Sequence, residues 1–359
     1  MSTSADRQVV FNGRFLSATP TGVHRVAAEL IGALSKDAAS PLRILAPKGA
    51  PEGQEPPGSR VDRVGFLSGQ AWEQASLPLA AAGATLVSLC NLAPALAPGI
   101  VMMHDAQVHI TPKSYSRAFS TWYRTLQPII GRGARRVLTV SEYSRQSLVE
   151  YGVAKFENIS VVPNGVDHMA HGEPDDTLIA RHGLRDRPFV IALANVQEHK
   201  NIRVLFAAFR SKALCEVRLV LFGSASAKDF SSIGLDPPPN TTFLGRVTDA
   251  QYAGLAREAA CLAFPSTTEG FGLPPLEGMS LGCPAVVAPC GALPEVCGDA
   301  ADYADPHSPS EWAAAIERFL DRDYRIARGA AGATWAAGYT WARSADLFRA
   351  ELTALGLDV

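Results

Sequence analysis

Short apolar runs rich in Val, Ile and Leu alternate along this chain with amphipathic stretches of helical period, and that alternation restricts the fold more than any other feature. Strands separated by helical crossovers must pair in parallel, with helices on both faces of the sheet. In the first half QVVFNGRFL (8–16), LRILA (42–46), TLVSL (85–89), GIVMMHD (99–105), RRVLTV (135–140) and the start of ISVVPNGV (159–166) read as strands. TGVHRVAAELIGALSK (21–36), AWEQASLPLAAA (71–82), SYSRAFSTWYRTLQPII (114–130) and YSRQSLVEYG (143–152) read as helices. The second half repeats the theme, with strands at 188–194, 217–223, 241–245, 261–266 and 284–289. Helices are expected at 200–211, 249–259 and 274–282, with a run of helices over 308–354. These counts predict an α/β protein of two Rossmann-like domains facing each other across a cleft: 1–166, a polar linker at 167–187, and 188–338. A C-terminal helix in 339–359 is expected to pack back toward the first domain. Ligands of such folds lie at the carboxyl ends of the strands.

Composition removes several classes. A chain of 359 residues, 47% apolar and 19% charged, can bury two cores. Its formal net charge of −2 offers no basic field for nucleic acid. Ala75 to Met103 carries no charged side chain, yet Pro78, Gly83, Asn91, Pro94, Pro98 and Gly99 break it into pieces too short to span a bilayer. MSTSADRQVV lacks a basic region followed by an apolar one, so a cytoplasmic protein is expected. Cys283, Cys290 and Cys297 recur every seven residues, but Pro284, Pro289, Gly291 and Pro294 deny them a common helical face. Reduced, mostly buried thiols are the better reading. No G-x-G-x-x-G opens a helix, and no P-loop or G-x-S-x-G elbow occurs. Histidines show no metal spacing, His168 and His171 being at best a weak pair, and no metal is expected.

The stretch TTEGFGLPPLEGMSLGCPAVVAPCGALPEV (267–296) carries the chemistry. A strand runs into Glu269-Gly270-Phe271-Gly272, and a helix then opens on Pro274 or Pro275, where proline is favoured. The first N–H groups and the positive helix end, near Gly272 and Leu273, suit an anionic diphosphate. Glu269 precedes the loop and Glu277 lies about one turn into the helix. Two carboxylates beside an anion site suggest hydroxyl recognition; an acid/base dyad is the alternative. Lys200 enters a helix from a strand end and suits phosphate. Asn195, Gly223, Arg246 and Val247 follow neighbouring strand ends on the same expected ligand side. In the first half, His104 ends a strand where a sugar hydroxyl could be bonded and Asp105 could orient the ring. Gly22 lets backbone approach a ligand at the first strand-to-helix turn, with Arg25 one turn later. Trp72 and Glu73 are candidates for shaping an acceptor side, although a helical tryptophan is more often core.

These residues resemble glycosyltransferase family 4, retaining enzymes of the GT-B fold. Glu269 and Glu277 match the family's E-x₇-E motif around G-F-G-L-P-P-L. TGVHRVAAEL, WEQASLP (72–78), His104-Asp105, VSEYSR (140–145), VVPNGVD (161–167), HKN (199–201), LGRVTDAQYAGL (244–255) and GALPEV (291–296) follow in the family's order. The resemblance is nearest to bacterial members that add mannose or rhamnose to surface polysaccharides. It implies that Glu277 binds the nucleotide ribose and Glu269 the donor sugar. Phe271, Gly272 and Leu273 would offer backbone N–H groups, and Lys200 would neutralise the leaving diphosphate. Many relatives carry an arginine just before this lysine or several residues earlier, where this chain has His199, Glu198 and Asn195. That departure shifts the burden to Lys200 and the helix N-terminus, or to Arg246.

The expectation is thus a metal-independent retaining transferase using a nucleotide-diphospho-sugar, GDP-mannose first and dTDP-rhamnose second, on a glycan or lipid-linked acceptor. A soluble synthase acting on a sugar phosphate or small molecule is the alternative within enzymes. A non-catalytic sugar-nucleotide-binding protein is the alternative outside them, although Glu269, Glu277 and Lys200 are all present. Lys113 to Arg136 holds six basic and no acidic residues, interleaved with Phe119, Trp122 and Tyr123. That helix suits peripheral contact with the cytoplasmic face of the inner membrane, or is simply a solvated face.

Overall fold

The computed structural model describes residues 8–18 and 21–358. MSTSADR, part of the segment read for a leader, lies outside them. The chain forms two compact units: one runs to Gly165 and resumes at Thr340, and the other is Val166–Tyr339.

The first unit is built on a parallel sheet of β1 (Val9–Asn12), β2 (Leu42–Pro47), β3 (Ser59–Val64), β4 (Thr85–Ser88), β5 (Ile100–Met102), β6 (Arg136–Thr139) and β7 (Ile159–Val161). Their order is β3-β2-β1-β4-β5-β6-β7, so the winding reverses between β1 and β4. β1 is shorter than expected. Asn12 Oδ1 accepts from the Arg14 N–H at 3.1 Å and turns the chain into a 3₁₀ segment, Gly13–Ser17. That segment lies flat on β2, because a Cβ on Gly13 would fall 2.6 Å from Ile44 Cγ2. β3, SRVDRV, was not expected; it is a charged edge strand, tied to β2 by Arg43 Nε donating to Asp62 Oδ2 at 2.7 Å. One apolar core gathers Val10, Leu45, Trp72, Leu77 and Leu86, and another Val101, Leu126, Ile130, Val137 and Leu148. The C-terminal helix Trp341–Ala354 packs on the helix Gly22–Ser35 and stacks Phe348 on Phe11 at 6.4 Å.

The second unit holds β8 (Phe189–Ala194), β9 (Arg218–Gly223), β10 (Thr241–Gly245), β11 (Cys261–Phe264), β12 (Ala285–Val287) and β13 (Asp302–Tyr303), in the order β10-β9-β8-β11-β12-β13. Its core joins Val190, Phe206, Leu219, Phe230, Trp312 and Phe319. The expected linker at 167–187 is instead folded into this unit. It contains the 3₁₀ turn Asp167–Ala170 and the helix Thr177–Arg181, buries Leu178 and Ile179, and bonds Asp175 N–H to Ala250 O at 2.8 Å. The short helices Ala227–Ser232 and Leu293–Cys297, and the two-residue β13, were also not expected. β13 matters electrostatically. Asp302, nearly buried, forms ion pairs with Arg318 and Arg328 at 2.7 and 2.8 Å and accepts from the Tyr324 hydroxyl at 2.8 Å. Burial pushes the Cys283 and Cys297 thiols up to about 12.

The helix Arg117–Gly133 contains Gly131, where alanine would ordinarily stabilise a helix by about 1 kcal/mol. Here the added Cβ would run into the Val153 carbonyl oxygen and lie 3.0 Å from Val153 Cγ1. Gly131→Ala is therefore expected to destabilise, by about 1–3 kcal/mol. Urea denaturation checks the sign; a gain would mean that Val153 yields freely.

Candidate active site

In the second unit the loop after β11 and the turn after β8 meet. Lys200 is not helical as expected but closes a 3₁₀ turn, Glu198–Lys200. Asn201, left-handed at φ 51°, ends that turn, and its amide donates to Pro265 O and Pro306 O at 3.2 and 2.8 Å. Thr267 N–H fastens the turn from the other side through His199 O at 2.8 Å. So held, Lys200 Nζ donates to Glu269 Oε1 at 2.7 Å, with both side chains less than one-fifth exposed. An ammonium has three donors, so Lys200 can keep this bond and still meet an anion. His199 beside it adds no charge: burial, then Lys200, holds its pKa down to about 4.

Gly272 sits at φ 107° and precedes the helix Leu273–Ser280, which begins one residue earlier than Pro274. A Cβ on Gly272 would strike Leu293 Cδ2 at 2.6 Å, so the loop passes close under the short helix Leu293–Cys297. Phe271 is a packing side chain, edge-on to Tyr339 at 6.0 Å, which leaves its backbone as the part able to meet a ligand. Glu277, the fifth residue of the helix, has Oε1 3.2 Å from His168 Nε2. His168 thus belongs to this group and not to a metal pair with His171; nothing in its sequence spacing signals it. The buried Tyr252 hydroxyl fixes the helix start by donating to Pro274 O at 2.9 Å. Nearby strand ends carry the remaining candidates. Asn195 Oδ1 accepts from Gln197 N–H at 2.8 Å, Gly223 passes so close to β8 that a Cβ would lie 2.7 Å from Ala194 O, and Arg246 is exposed with Val247 half-buried. Among the described residues no three His, Cys, Asp or Glu side chains are grouped to hold a metal ion.

In the first unit, His104 is buried and its ring is fixed by Nε2 donating to Leu89 O at 2.8 Å. A carbonyl only accepts, so Nε2 carries the proton and Nδ1 the lone pair. Burial holds the pKa down to about 4, which keeps the ring neutral. The expectation that Asp105 orients it needs revision: the fixing bond goes to Leu89, and Asp105 Oδ1 accepts from Gln107 N–H at 2.9 Å. Two acceptor candidates prove structural. Trp72 is wholly buried, with Nε1 donating to Val64 O at 2.8 Å. Glu73 is 1% exposed and accepts on Oε1 from Asn12 Nδ2 at 2.8 Å and Arg14 Nε at 3.0 Å. Burial raises its pKa while Arg14 and Asn12 oppose the rise. Gly22 opens the first helix, where Thr21 gives no side-chain cap, and Arg25 is half-buried one turn on. A cavity of about 490 Å³ lies at the ends of β1 to β4, lined by Arg14, His24 and Lys48 among others. None of these three was a candidate from sequence.

Lys200→Ala strands Glu269 in a poorly exposed place, and removing one partner of such a pair costs about 3 kcal/mol. Adding Glu269→Gln to that variant should recover most of the loss. Urea midpoints of the single and double variants check this; equal midpoints would show the pair to be energetically idle.

A family model described as Glycosyltransferase Family 4 matches residues 20–169, and one described as Glycosyl transferases group 1 matches 187–322. D-inositol 3-phosphate glycosyltransferase of Segniliparus rotundus is 30% identical over 268 residues, 69% of this chain and 60% of that protein. O-antigen chain mannosyltransferase RfbU of Salmonella typhimurium is 25% identical over 244 residues, 66% of this chain and 64% of that protein. Each match spans less than two thirds of the relative's length. Among solved structures, Anabaena HepE in complex with UDP-glucose superposes with a TM-score of 0.74 at 18% identity, covering 97% of this chain and 99% of that one, which shows the fold. Two parallel-sheet α/β units, an E-x₇-E loop and helix paired with Lys200, and family models over both halves lead to one assignment: the chain belongs to glycosyltransferase family 4 and has the GT-B fold.

Proposed function

We propose that the chain is a retaining, metal-independent glycosyltransferase. It moves mannose from GDP-mannose, or as second choice rhamnose from dTDP-rhamnose, to a glycan or lipid-linked acceptor in cell-surface polysaccharide assembly. The observation that carries this reading is the 2.7 Å Lys200–Glu269 pair beside the N-terminus of the helix Leu273–Ser280. In it, Lys200 and the first helix N–H groups stabilise the departing diphosphate. Glu269 accepts from sugar hydroxyls, Glu277 from the ribose, and His104 Nδ1 from a further hydroxyl. A donor phosphate oxygen takes the acceptor's proton as the acceptor attacks the same face. The Salmonella relative's name supports mannose and surface polysaccharide, and the HepE complex supports a nucleotide-sugar donor. Metal independence is supported by Lys200 and the positive end of the helix Leu273–Ser280, which supply the counter-charge that a cation would otherwise bring to the diphosphate.

Titration with GDP, UDP and dTDP tests the donor site. Glu277→Ala should weaken the preferred nucleotide about tenfold or more, with Gln losing less because its amide oxygen still accepts. An unchanged affinity refutes the role of Glu277. Turnover should persist in excess EDTA; loss restored by Mg²⁺ or Mn²⁺ overturns metal independence.

Peripheral membrane contact is the second part of the proposal. No helix among the described residues is long and apolar enough to cross a membrane. The helix Arg117–Gly133 exposes Phe119, Trp122 and Ile129 beside Arg117 and Arg124. Arg135, though exposed, donates to Leu355 O, and Arg136 pairs with Glu351. Each exposed cation contributes about 1 kcal/mol on an anionic surface and is screened by salt. Replacing Arg117, Arg124 and Arg132 with Gln should abolish flotation with anionic vesicles at low salt while donor binding persists. If the wild type ignores such vesicles, the helix is a solvated face.

A further inference from the structure

We infer that Asn91 is a positioning residue for His104, its γ-turn holding the ring in the tautomer that offers Nδ1 to a sugar hydroxyl; this rests on the reading above that His104 bonds such a hydroxyl. The turn follows β4. Leu92 N–H donates to Cys90 O at 2.9 Å, an i→i+2 bond with Asn91 between its ends at φ 66°. A positive φ at the centre marks the rare, strained form of the γ-turn. Among the described residues only Asn91 and Asn201 hold a positive φ without being glycine. Asn201 ends the turn that carries Lys200, so both exceptions sit beside a candidate site residue. Strain of this kind persists only where the surroundings impose it, and it collects at functional sites.

The turn is docked on its neighbours. Asn91 N–H donates to Met102 O at 3.0 Å, at the end of β5 and just ahead of His104. Cys90 keeps its proton, because burial pushes the thiol up to about 12, and donates to Val23 O at 3.7 Å in the first turn of the helix Gly22–Ser35. So placed, the turn grips His104. Asn91 Oδ1 accepts from the His104 backbone N–H at 2.7 Å, and Leu89 O, preceding the turn, accepts from the ring Nε2 at 2.8 Å. From the helix Glu142–Glu150, Ser144 Oγ donates to His104 O at 2.9 Å. Backbone donor, backbone acceptor and ring are thereby all held, and segment 89–91 supplies two of the three contacts. Glycine would make this turn without strain but has no oxygen to hold the His104 N–H. An asparagine bearing the strain instead points to that oxygen. A ring that loses Leu89 O exchanges its two tautomers, and the Nδ1 lone pair is then present for only part of the time.

Nitrogen NMR of the full chain carrying isotope-labelled histidine reads the ring without any ligand, His104 being the signal that His104→Gln removes. Wild type should show one neutral tautomer with the proton on Nε2. Alanine would add strain at this φ, whereas Asn91→Gly keeps the turn, removes the oxygen and should show averaged tautomers. Asn91→Asp accepts the same N–H and tolerates a positive φ, so it should restore the single form. Release of GDP from GDP-mannose, or of dTDP from dTDP-rhamnose, is the second measure. Asn91→Gly should lower kcat about tenfold, the worth of one hydrogen bond, and Asn91→Asp should recover most of it. In a His104→Ala background Asn91→Gly should cause no further loss. GDP affinity should hold in Asn91→Gly, since Lys200 and Glu277 belong to the other unit. An Asn91→Gly variant that keeps the wild-type tautomer, or whose loss of turnover adds in full to that of His104→Ala, overturns the inference. A lowered urea midpoint with ring and turnover unchanged also overturns it and makes Asn91 a folding residue. If wild type consumes neither donor while Asn91→Gly frees the ring, the transferase reading falls and Asn91 stands as the holder of His104.

Discussion

A strand pairing in parallel with its neighbour must be reached by a crossover over the sheet face, so all strands of a parallel sheet release their carboxyl ends on one edge. Both sheets here are made of such pairs, and in each the winding reverses beside the first strand of its unit, at β1/β4 and at β8/β11. Loops that diverge to opposite faces leave a crevice at such a point. In the first unit the residues after β1, β2 and β4, namely Arg14, Lys48 and Cys90, consequently line one cavity. In the second, the segments after β8 and β11 bring Lys200 to Glu269.

Each unit thus holds a cation against a carboxylate at its strand ends, but the two pairs differ in burial. Glu73 is sealed and satisfied by three donors' worth of neighbours, including Asn12, which also donates to Ser88 Oγ at 3.1 Å. Arg14 cannot leave it without exposing an uncompensated buried charge. The Lys200–Glu269 pair retains some solvent contact on both sides, 18% and 12%. A lysine there can share itself with an arriving anion at smaller cost. One pair acts as a fixed bracket, the other as an exchangeable contact. Two further histidines at strand ends, His104 and His199, are held neutral by burial.

Long apolar strands such as FVIALA and RLVLFG were legible because buried parallel strands read as continuous hydrophobic runs. β3 escaped for the opposite reason: an edge strand needs only one bonded neighbour and carries Arg60, Asp62 and Arg63 to keep that edge soluble. Residues 167–187 looked like a linker because their polar and proline content hides the buried apolar side chains Met169, Leu178, Ile179 and Leu184. Glu269 and Glu277 could be recognised since one loop and one helix carry both. Arg14, His24 and Lys48 could not, because three separate segments meet only once the strand order is known. His168 likewise reaches Glu277 only through tertiary packing.

The first unit is discontinuous, and the second is an uninterrupted stretch of chain between its two parts. The chain leaves and returns at one place. A Cβ on Gly165 would meet the Trp341 backbone, and Val166 N–H bonds Tyr339 O at 3.0 Å. During synthesis from the N-terminus the inserted unit is therefore complete before its host is. The helix Gly22–Ser35 emerges before the inserted unit, with an apolar face whose cover, Trp341–Ala354, is made only after that unit. Until then Phe11 lacks Phe348, Arg136 lacks Glu351, and the host sheet waits with part of its hydrophobic surface uncovered. Order of manufacture thus makes the helix Trp341–Ala354 the closing piece of a unit begun before the inserted one, and leaves the nascent host in need of a chaperone's protection.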